Sequence, residues 1–335
     1  MQRVQFIRHI CIKALMLTSL IVILSCERND YEIFNPETSG VWTVYSKADG
    51  LPGNYVGDIK LDSRQNLWIT FPGYGAARYD YETWTYYRTA TSDLLNDGVI
   101  CLEESSTGTI IFGTSDGISF LSDSNTWSSY TDPASEMYVN TIKVASNGWI
   151  WVGTRDQGFY VNSGSGFTKT LIAQYQTVNV IEEGENGNIY LGTDNGIVKW
   201  NGSAYSYLGV ADGLPDKRVT SMHFDRKRRL WIGTDAGRNV SWIDNSGIHK
   251  VNLLAGTDSV KIRDIREDRR GYVWFATRDN GLIWYDGVVP HSIKDFNGIT
   301  ETRINCIAED RDGNLWFGLY SKGLVKYTLP VDGIK

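Results

Sequence analysis

The sequence predicts an all-β fold, a seven-bladed β-propeller that is closed by an N-terminal strand pairing with the last blade. Three observations support this fold class. A short aromatic phrase recurs seven times along the 335 residues, each copy contains four strand-like segments, and no copy shows the 3.6-residue period of an amphipathic helix. Units of about 40 residues with four antiparallel strands are typical of propeller blades.

The recurring phrase is a short apolar run that usually ends in Gly-Thr, and we interpret it as the second strand, strand b, of each blade. Its central large residue is aromatic in six of the seven copies, and the spacing between copies is close to 40 residues. The seven positions are Trp68, Ile111, Trp151, Tyr190, Trp231, Trp274 and Trp316. Large flat side chains at equivalent positions are expected to pack the blades face to face.

The other strands are recognised from their position relative to this phrase. Strand a carries two apolar residues three positions apart, as in Val56 and Ile59, strand c follows a glycine after strand b, and strand d is an aromatic or apolar cluster such as Trp84–Tyr87. An aspartate six residues before the aromatic residue, in four copies, and a glycine three residues before it, in five, predict a tight turn between strands a and b.

The two ends of the repeat region are complementary. The seventh copy ends near Leu329 before any strand d, whereas an unpaired cluster, Trp42–Tyr45, precedes the first copy. We therefore predict that this N-terminal segment supplies the outer strand of the last blade and removes two exposed strand edges.

The N-terminus predicts export and lipidation. Positive residues precede an apolar run from Ala14 to Leu24 that is too short to span a bilayer, and Cys26 follows it in a sequence that resembles a bacterial lipobox. The predicted organisation is a signal peptide at 1–25, a lipidated Cys26 with a polar tether at 26–40, the propeller at 41–329 and a tail at 330–335. An ordinary signal peptide or an uncleaved anchor are the alternatives.

Composition narrows the function classes. The net charge of −6 gives no basic footprint for nucleic acid, and no glycine-rich phosphate loop or metal-spaced Cys/His cluster is present, so no cofactor and no metal are predicted. Cys101 and Cys306 occupy equivalent positions in blades that are not neighbours, which predicts two buried thiols rather than a disulfide.

Several phrases resemble the two-component regulator propeller repeat, namely Ala48–Pro52, Ala211–Pro215, Trp231–Thr234 and Arg311–Gly318. That repeat builds the extracytoplasmic sensory part of hybrid histidine kinases, especially in gut Bacteroidetes, and the resemblance implies recognition of glycans or their breakdown products. No kinase sequence follows the repeats before Lys335, so we expect a stand-alone lipoprotein with one such propeller, anchored to the outer membrane on a side that the sequence leaves open.

Binding is expected on the face that carries the loops from strand d to the next strand a and from b to c. Residues there vary while the framework repeats; aromatic faces stack on sugar rings, and arginine forks hold carboxylates or hydroxyl pairs. The predicted ligand-binding residues are Tyr55, Tyr74, Tyr138, Arg155, Asp194, Arg218, Asp235, Arg278, Arg303 and Tyr320. An oligosaccharide or small polar ligand is the expected partner, and a rim whose charges pair with one another is the alternative.

Two further functions remain open at this point. A scaffold that docks another envelope protein would also use a propeller face. The sequence resembles the streptogramin-lyase propellers more distantly, but His223, His249 and His291 fall in or near strands a and d, and none can be matched to a catalytic loop histidine. We therefore predict no enzyme activity.

Overall fold

The computed structural model describes residues 40–329 apart from residue 238, residues 255–258 and residue 297. In this part of the chain, seven four-stranded antiparallel sheets and one short hairpin are formed. The sheets are the predicted blades, so the all-β, seven-bladed propeller is confirmed.

In blades 1 to 6 the strands follow one another along the chain from the channel outward, whereas the outermost strand of blade 7 is β1. Blade 1 consists of β2 (Ile59–Leu61), β3 (Leu67–Phe71), β4 (Gly75–Tyr79) and β5 (Trp84–Tyr87); blade 2 of β6 (Val99–Glu104), β7 (Ile110–Thr114), β8 (Gly117–Leu121) and β9 (Trp127–Tyr130); blade 3 of β10 (Val139–Val144), β11 (Ile150–Thr154), β12 (Phe159–Asn162) and β13 (Phe167–Thr170); blade 4 of β14 (Val178–Glu183), β15 (Ile189–Thr193), β16 (Gly196–Trp200) and β17 (Tyr205–Leu208). Blade 5 consists of β18 (Val219–Phe224), β19 (Leu230–Thr234), β20 (Asn239–Asp244) and β21 (Gly247–Asn252); blade 6 of β22 (Ile262–Glu267), β23 (Val273–Thr277), β24 (Leu282–Tyr285) and β25 (Pro290–Ile293); blade 7 of β28 (Ile304–Glu309), β29 (Leu315–Leu319), β30 (Leu324–Thr328) and β1 (Val41–Tyr45). Single turns of 3-10 helix span Lys47–Asp49, Glu185–Gly187 and Val210–Asp212.

The inner strands form a closed circle. Each strand a contacts the strand a of the blade before it and of the blade after it, and β2 of blade 1 contacts both β6 of blade 2 and β28 of blade 7. The first and last blades are therefore neighbours, as a ring requires.

The ring is closed by the N-terminal strand, as predicted. β1 pairs antiparallel with β30 over its whole length, from Val41 opposite Thr328 to Tyr45 opposite Leu324. The ring of Trp42 packs on Tyr327, with 4.5 Å between ring centroids. Gly323 has φ +92°, and a Cβ there would collide with the carbonyl oxygen of Tyr45, so this junction requires glycine.

A β-bulge explains the spacing of the apolar pairs in strand a. In blades 2 to 7 the pairing with strand b shifts register between the first and third residues, for example between Val99 and Cys101. In a regular strand, residues three apart point to opposite faces; with an extra residue in between, Val99 and Leu102 both reach the core.

The core lies between the blades. The largest fully buried side chains include Trp231, Trp274 and Trp316, and each belongs to a recurring strand b. These rings contact aromatic residues of the adjacent blade, such as Trp231 with Phe275 at 5.6 Å and Trp274 with Phe317 at 5.7 Å. The predicted face-to-face packing is confirmed.

Both described cysteines are free thiols, as predicted, since Cys101 lies in blade 2 and Cys306 in blade 7. A short hairpin of β26 (Asp295–Phe296) and β27 (Ile299–Thr300) lies between blades 6 and 7 and was not anticipated. The buried Phe296 in it contacts Trp42 at 5.2 Å.

Cys26, the signal and tether at 1–39 and the tail at 330–335 lie outside the described residues, so these domain predictions stand as predictions. Within the described part of the chain, no helix has both the length and the apolar character needed to cross a bilayer.

Candidate functional site

The loop face is organised by one repeated main-chain hydrogen bond. The residue after strand b donates its N–H to the carbonyl of the residue before strand a of the same blade. The pairs, donor first, are Ser115 to Gly98, Arg155 to Tyr138, Asp194 to Thr177, Asp235 to Arg218, Arg278 to Lys261 and Tyr320 to Arg303, with distances from 2.9 to 3.3 Å. The residues predicted from the two loop types are thus neighbours in each of these blades, on one face.

In blade 3 an arginine lies on a tyrosine ring. The guanidinium carbon of Arg155 is 3.6 Å from the ring centroid of Tyr138, in addition to the main-chain bond between them at 3.1 Å. Arg155 is exposed and Tyr138 half-buried. Such stacking holds the ring in place while leaving the donor edge of the guanidinium free.

A second group forms where blade 7 meets blade 1. The rings of Tyr55 and Tyr320 meet edge to face at 5.1 Å, and the Arg303 guanidinium lies 4.0 Å from the Tyr320 centroid. Arg303 also donates to Glu301 at 3.4 Å. Tyr55 and Tyr320 remain 38% and 45% exposed, which leaves part of each ring accessible to a ligand.

The two acidic residues among the predicted ligand-binding residues, Asp194 and Asp235, form ion pairs. Arg218 lies between Asp194, at 3.1 Å, and Asp235, at 3.3 Å, and bridges blades 4 and 5. Asn179 donates a further hydrogen bond to Asp194 at 2.9 Å. In this sector the rim charges pair with one another, which is the alternative that the sequence left open.

Arg278 and Tyr74 stand apart from these groups. Arg278 is exposed and, among the described residues, its guanidinium has no ion-pair partner, while its neighbour Lys261 pairs with Asp279 at 3.5 Å. Tyr74 belongs to a separate cluster in blade 1, with Arg88 at 5.6 Å and Lys47 at 5.9 Å from its ring centroid.

Sequence reasoning missed Arg263, the second residue of strand a in blade 6. Burial raises the pKa of the Tyr55 hydroxyl, the positive charge of Arg263 opposes this rise, and Tyr138 and Tyr320 are also among the electrostatic neighbours of that hydroxyl. Tyrosines of three blades and one cation therefore lie near one another, and Arg263 also lines the central channel cavity. The available signal was a departure from pattern: four other blades have Asn or Thr at this position.

Those Asn and Thr side chains join adjacent blades. Each donates to the carbonyl of the first strand a residue in the next blade, and this bond forms from Asn140 to Val178, Asn179 to Val219, Thr220 to Ile262 and Asn305 to Val56. Arg263 makes no such bond among the described residues, so its charge is free to act in the mouth.

The channel below the mouth is a cavity of about 340 Å³ with charged walls. Lys60 pairs with Glu103 at 2.8 Å, and Lys143 with Glu182 at 3.7 Å. Burial would lower the pKa of Lys60, but the carboxylates of Glu103 and Asp58 together outweigh it and the pKa is raised. Since these opposite charges neutralise each other, the channel offers less to a charged ligand than its mouth does.

The histidines do not meet at the loop face. His223 lies in strand a within the channel wall, whereas His249 and His291 lie in strands d, where they stack on Trp242 and Trp284 at 3.8 and 4.0 Å. In the described residues, no three His, Cys, Asp or Glu side chains come together as metal ligands would. The positions predicted for the histidines are confirmed.

Comparison with known families identifies the repeat. Residues 213–236 and 298–321 match the family described as two component regulator propeller, so the resemblance drawn from the sequence phrases is confirmed. No curated protein sequence matches the chain.

Solved structures share the fold. The extracellular domain of a putative hybrid two-component system from B. thetaiotaomicron superimposes with a TM-score of 0.73 at 19% identity, covering 86% of this chain and 42% of that one. A catalytically inactive virginiamycin B lyase from Staphylococcus aureus, in complex with quinupristin, gives 0.71 at 16% identity and covers 87% of this chain and all of that one. PorZ, a surface component of the type-IX secretion system of Porphyromonas gingivalis, gives 0.67 at 16% identity, with 85% and 47% covered. The chain thus spans less than half the length of the two-component and PorZ proteins.

Proposed function

Because the chain carries two-component regulator propeller repeats, we propose that it is a ligand-binding, sensor-like propeller of the cell envelope. The proposed ligand is an oligosaccharide or another small polar molecule, held at the loop face over the channel mouth. This proposal draws support from the structural likeness to the extracellular domain of a hybrid two-component system.

The observation that carries the proposal is a group of exposed and half-buried tyrosines beside Arg263, whose guanidinium has no ion-pair partner among the described residues. Tyr55, Tyr138 and Tyr320 come from three blades and lie near one another, and Arg263 beside them also lines the channel cavity. Aromatic rings at a rim can stack on the apolar faces of sugars, while guanidinium groups donate to hydroxyls or carboxylates. The self-paired trio of Asp194, Arg218 and Asp235 is the less suitable part of the rim.

The test is thermal unfolding with a panel of oligosaccharides. A ligand should raise the melting temperature of the wild type, because binding to the folded state alone adds stability. Tyr138→Ala or Arg278→Ala should abolish this rise and leave the melt without ligand unchanged. Tyr207→Ala is the matched control, because Tyr207 is a similarly exposed tyrosine on an outer strand. A ligand-dependent rise that survives in Tyr138→Ala would contradict the proposed site.

A protein-docking scaffold of the envelope is the second candidate, and the likeness to PorZ favours it. Docking predicts that a partner protein co-purifies after mild cross-linking and that no sugar shifts the melting temperature. A streptogramin-lyase-like enzyme is the third reading; the burial of His223 and the stacking of the other two histidines against tryptophans argue for a non-enzymatic role.

Membrane attachment through Cys26 completes the proposal. Several acyl chains on one cysteine would hold the protein at the outer membrane, each buried methylene contributing about 0.8 kcal/mol. Metabolic labelling with a fatty acid should mark the wild type and not the Cys26→Ser variant. Labelling of both proteins would rule out this anchor.

A further inference from the structure

A cleft of about 930 Å³ lies between blades 1 and 2, and the loop that joins these blades contributes Thr91 and Asp93 to it. Blade 1 contributes Trp68, Arg78 and Thr85 to its wall, and blade 2 contributes Asp123 and Trp127. None of the ten predicted ligand-binding residues lines it. The cleft is therefore distinct from the tyrosine group at the channel mouth.

One position of strand c differs from blade to blade. Arg78 is the cross-strand partner of Trp68, whereas the corresponding partners in blades 5 and 6 are Trp242 and Trp284. Blades 4 and 7 have Lys199 and Lys326 there. Arg78 is thus the arginine among these partners, and it lines the cleft together with Trp68.

Other cations at this position lie on the aromatic ring beside them. Lys199 is 5.3 Å from the Tyr190 centroid, and Lys326 is 5.3 Å from that of Trp316. Arg78 makes no such contact among the described residues. Its Nε atom is buried without a hydrogen-bond partner, and its guanidinium forms no ion pair within the described part of the chain.

The nearby carboxylates form hydrogen bonds or ion pairs with residues other than Arg78. Asp62 accepts a hydrogen bond from the Trp68 indole at 2.8 Å, Asp123 forms an ion pair with Arg64, and Glu104 accepts two hydrogen bonds from Ser63 at 2.7 Å. The exposed Asp93 at the rim of the cleft makes no ion pair with Arg78 either. Arg78 is half-buried, and its guanidinium, which has no ion-pair partner among the described residues, can donate charge-assisted hydrogen bonds to a negatively charged ligand in the cleft.

The remaining walls fit a sugar. Thr85, Thr91 and the half-buried Trp127 line the cleft, and the Trp127 ring stacks on Phe112 with 5.6 Å between ring centroids. A planar guanidinium matches the two oxygens of a carboxylate, and an indole face packs on the C–H face of a pyranose. We propose that this cleft binds a uronic acid, as a free sugar or as a residue of an acidic oligosaccharide, with the carboxylate on Arg78.

The experiment is isothermal titration calorimetry of the full-length protein, with D-galacturonate as the probe. Neutral D-galactose and inorganic phosphate are the comparison ligands. Galacturonate should bind the wild type at least tenfold more tightly than either. Equal binding of galactose would remove the role of the carboxylate, and preferential binding of phosphate would show a general anion site; either result overturns the proposal.

Variants locate the site. Arg78→Met should weaken galacturonate binding at least tenfold, whereas Arg228→Met, which removes a highly exposed arginine paired with Glu185, should leave it within twofold. Tyr138→Ala should also leave it unchanged, which separates this cleft from the tyrosine group at the channel mouth. If Arg78→Met does not fold, Arg78→Lys decides: it keeps the charge but loses the planar fork, and unchanged affinity in it contradicts the proposal.

Discussion

The carboxylate of Asp310 accepts a hydrogen bond from the indole nitrogen of Trp316 at 2.8 Å. The same carboxylate caps the turn between them by accepting from the main-chain N–H of Asn314 at 2.9 Å. The same indole bond joins Asp62 to Trp68, Asp225 to Trp231 and Asp268 to Trp274. One carboxylate thus accepts hydrogen bonds both from the main chain of the turn and from the buried indole, which explains the six-residue spacing in the sequence.

Blade 3 lacks this carboxylate, and the first prediction is that restoring it stabilises the fold. Ala145 occupies the position, and the buried indole nitrogen of Trp151 has no acceptor among the described residues. Ala145→Asp should therefore stabilise the fold by roughly 1 kcal/mol, the usual net value of a buried hydrogen bond. Denaturant unfolding measures it.

The reverse substitution is the matched control. Asp310→Ala should destabilise by about 1–3 kcal/mol, because it leaves a buried donor unsatisfied. If Ala145→Asp lowers the midpoint of unfolding instead, the account of the repeated aspartate fails for blade 3.

The second prediction concerns ring closure. Deletion of residues 41–45 removes β1, its pairing with β30 and the packing of Trp42 on Tyr327 and Phe317. It should cost far more stability than deletion of residues 27–38, and Trp42→Ala alone should cost about 3–5 kcal/mol. Thermal melts compare the variants, and equal melts for the two deletions would refute closure by this strand.

The third prediction is a dependence of stability on pH that arises from His223. Burial and the nearby Arg266 lower the pKa of His223 to about 3, against 6.5 for the free side chain. The unfolded chain therefore binds a proton as the pH falls below 6.5 and the folded chain does not, so stability is lost between pH 6.5 and 3. The slope from this residue is at most about 1.4 kcal/mol per pH unit.

The variant His223→Gln isolates this term. As the pH is lowered from 7 to 4, the unfolding free energy of the wild type should fall relative to that of the variant. Carboxylate titrations occur in both proteins and cancel. A constant difference over this range would show that His223 is not held neutral.

The fourth prediction concerns the thiols. Burial raises the pKa values of Cys101 and Cys306 well above the ordinary value, so both stay protonated and shielded at pH 8. Mass spectrometry after treatment with iodoacetamide should show both unmodified in the folded protein and both alkylated in denaturant. Rapid labelling in the folded state would contradict their burial.

The repeated features of the fold could be predicted from sequence because each strand carries a local pattern. The recurring Trp, the turn aspartate and the outer clusters, such as Trp127–Tyr130, defined strands whose bounds the structure matches. The indole bonds could not be predicted, since a six-residue spacing alone does not show that a turn folds back to place Asp225 against Trp231.

The candidate site was less predictable. The loops that carry Tyr138 and Arg155 follow from the topology, but the pairing of Arg218 with two aspartates depends on the angles between blades 4 and 5. Arg263 and Arg78 were missed for a related reason. Both lie inside strands, where a single arginine among framework residues is read as part of the scaffold until the neighbours of its guanidinium are known.

The strand that closes the ring comes from one end of the repeat region and its three partners from the other. During synthesis, Val41–Tyr45 emerges before all of its partner strands, and its hydrogen-bonding edge on β30 exists only after residue 328 has left the ribosome. The nascent chain must therefore hold an apolar, unpaired strand through translation of all seven blades. Such a topology makes ring closure the slow, late step of folding and the stage most exposed to aggregation.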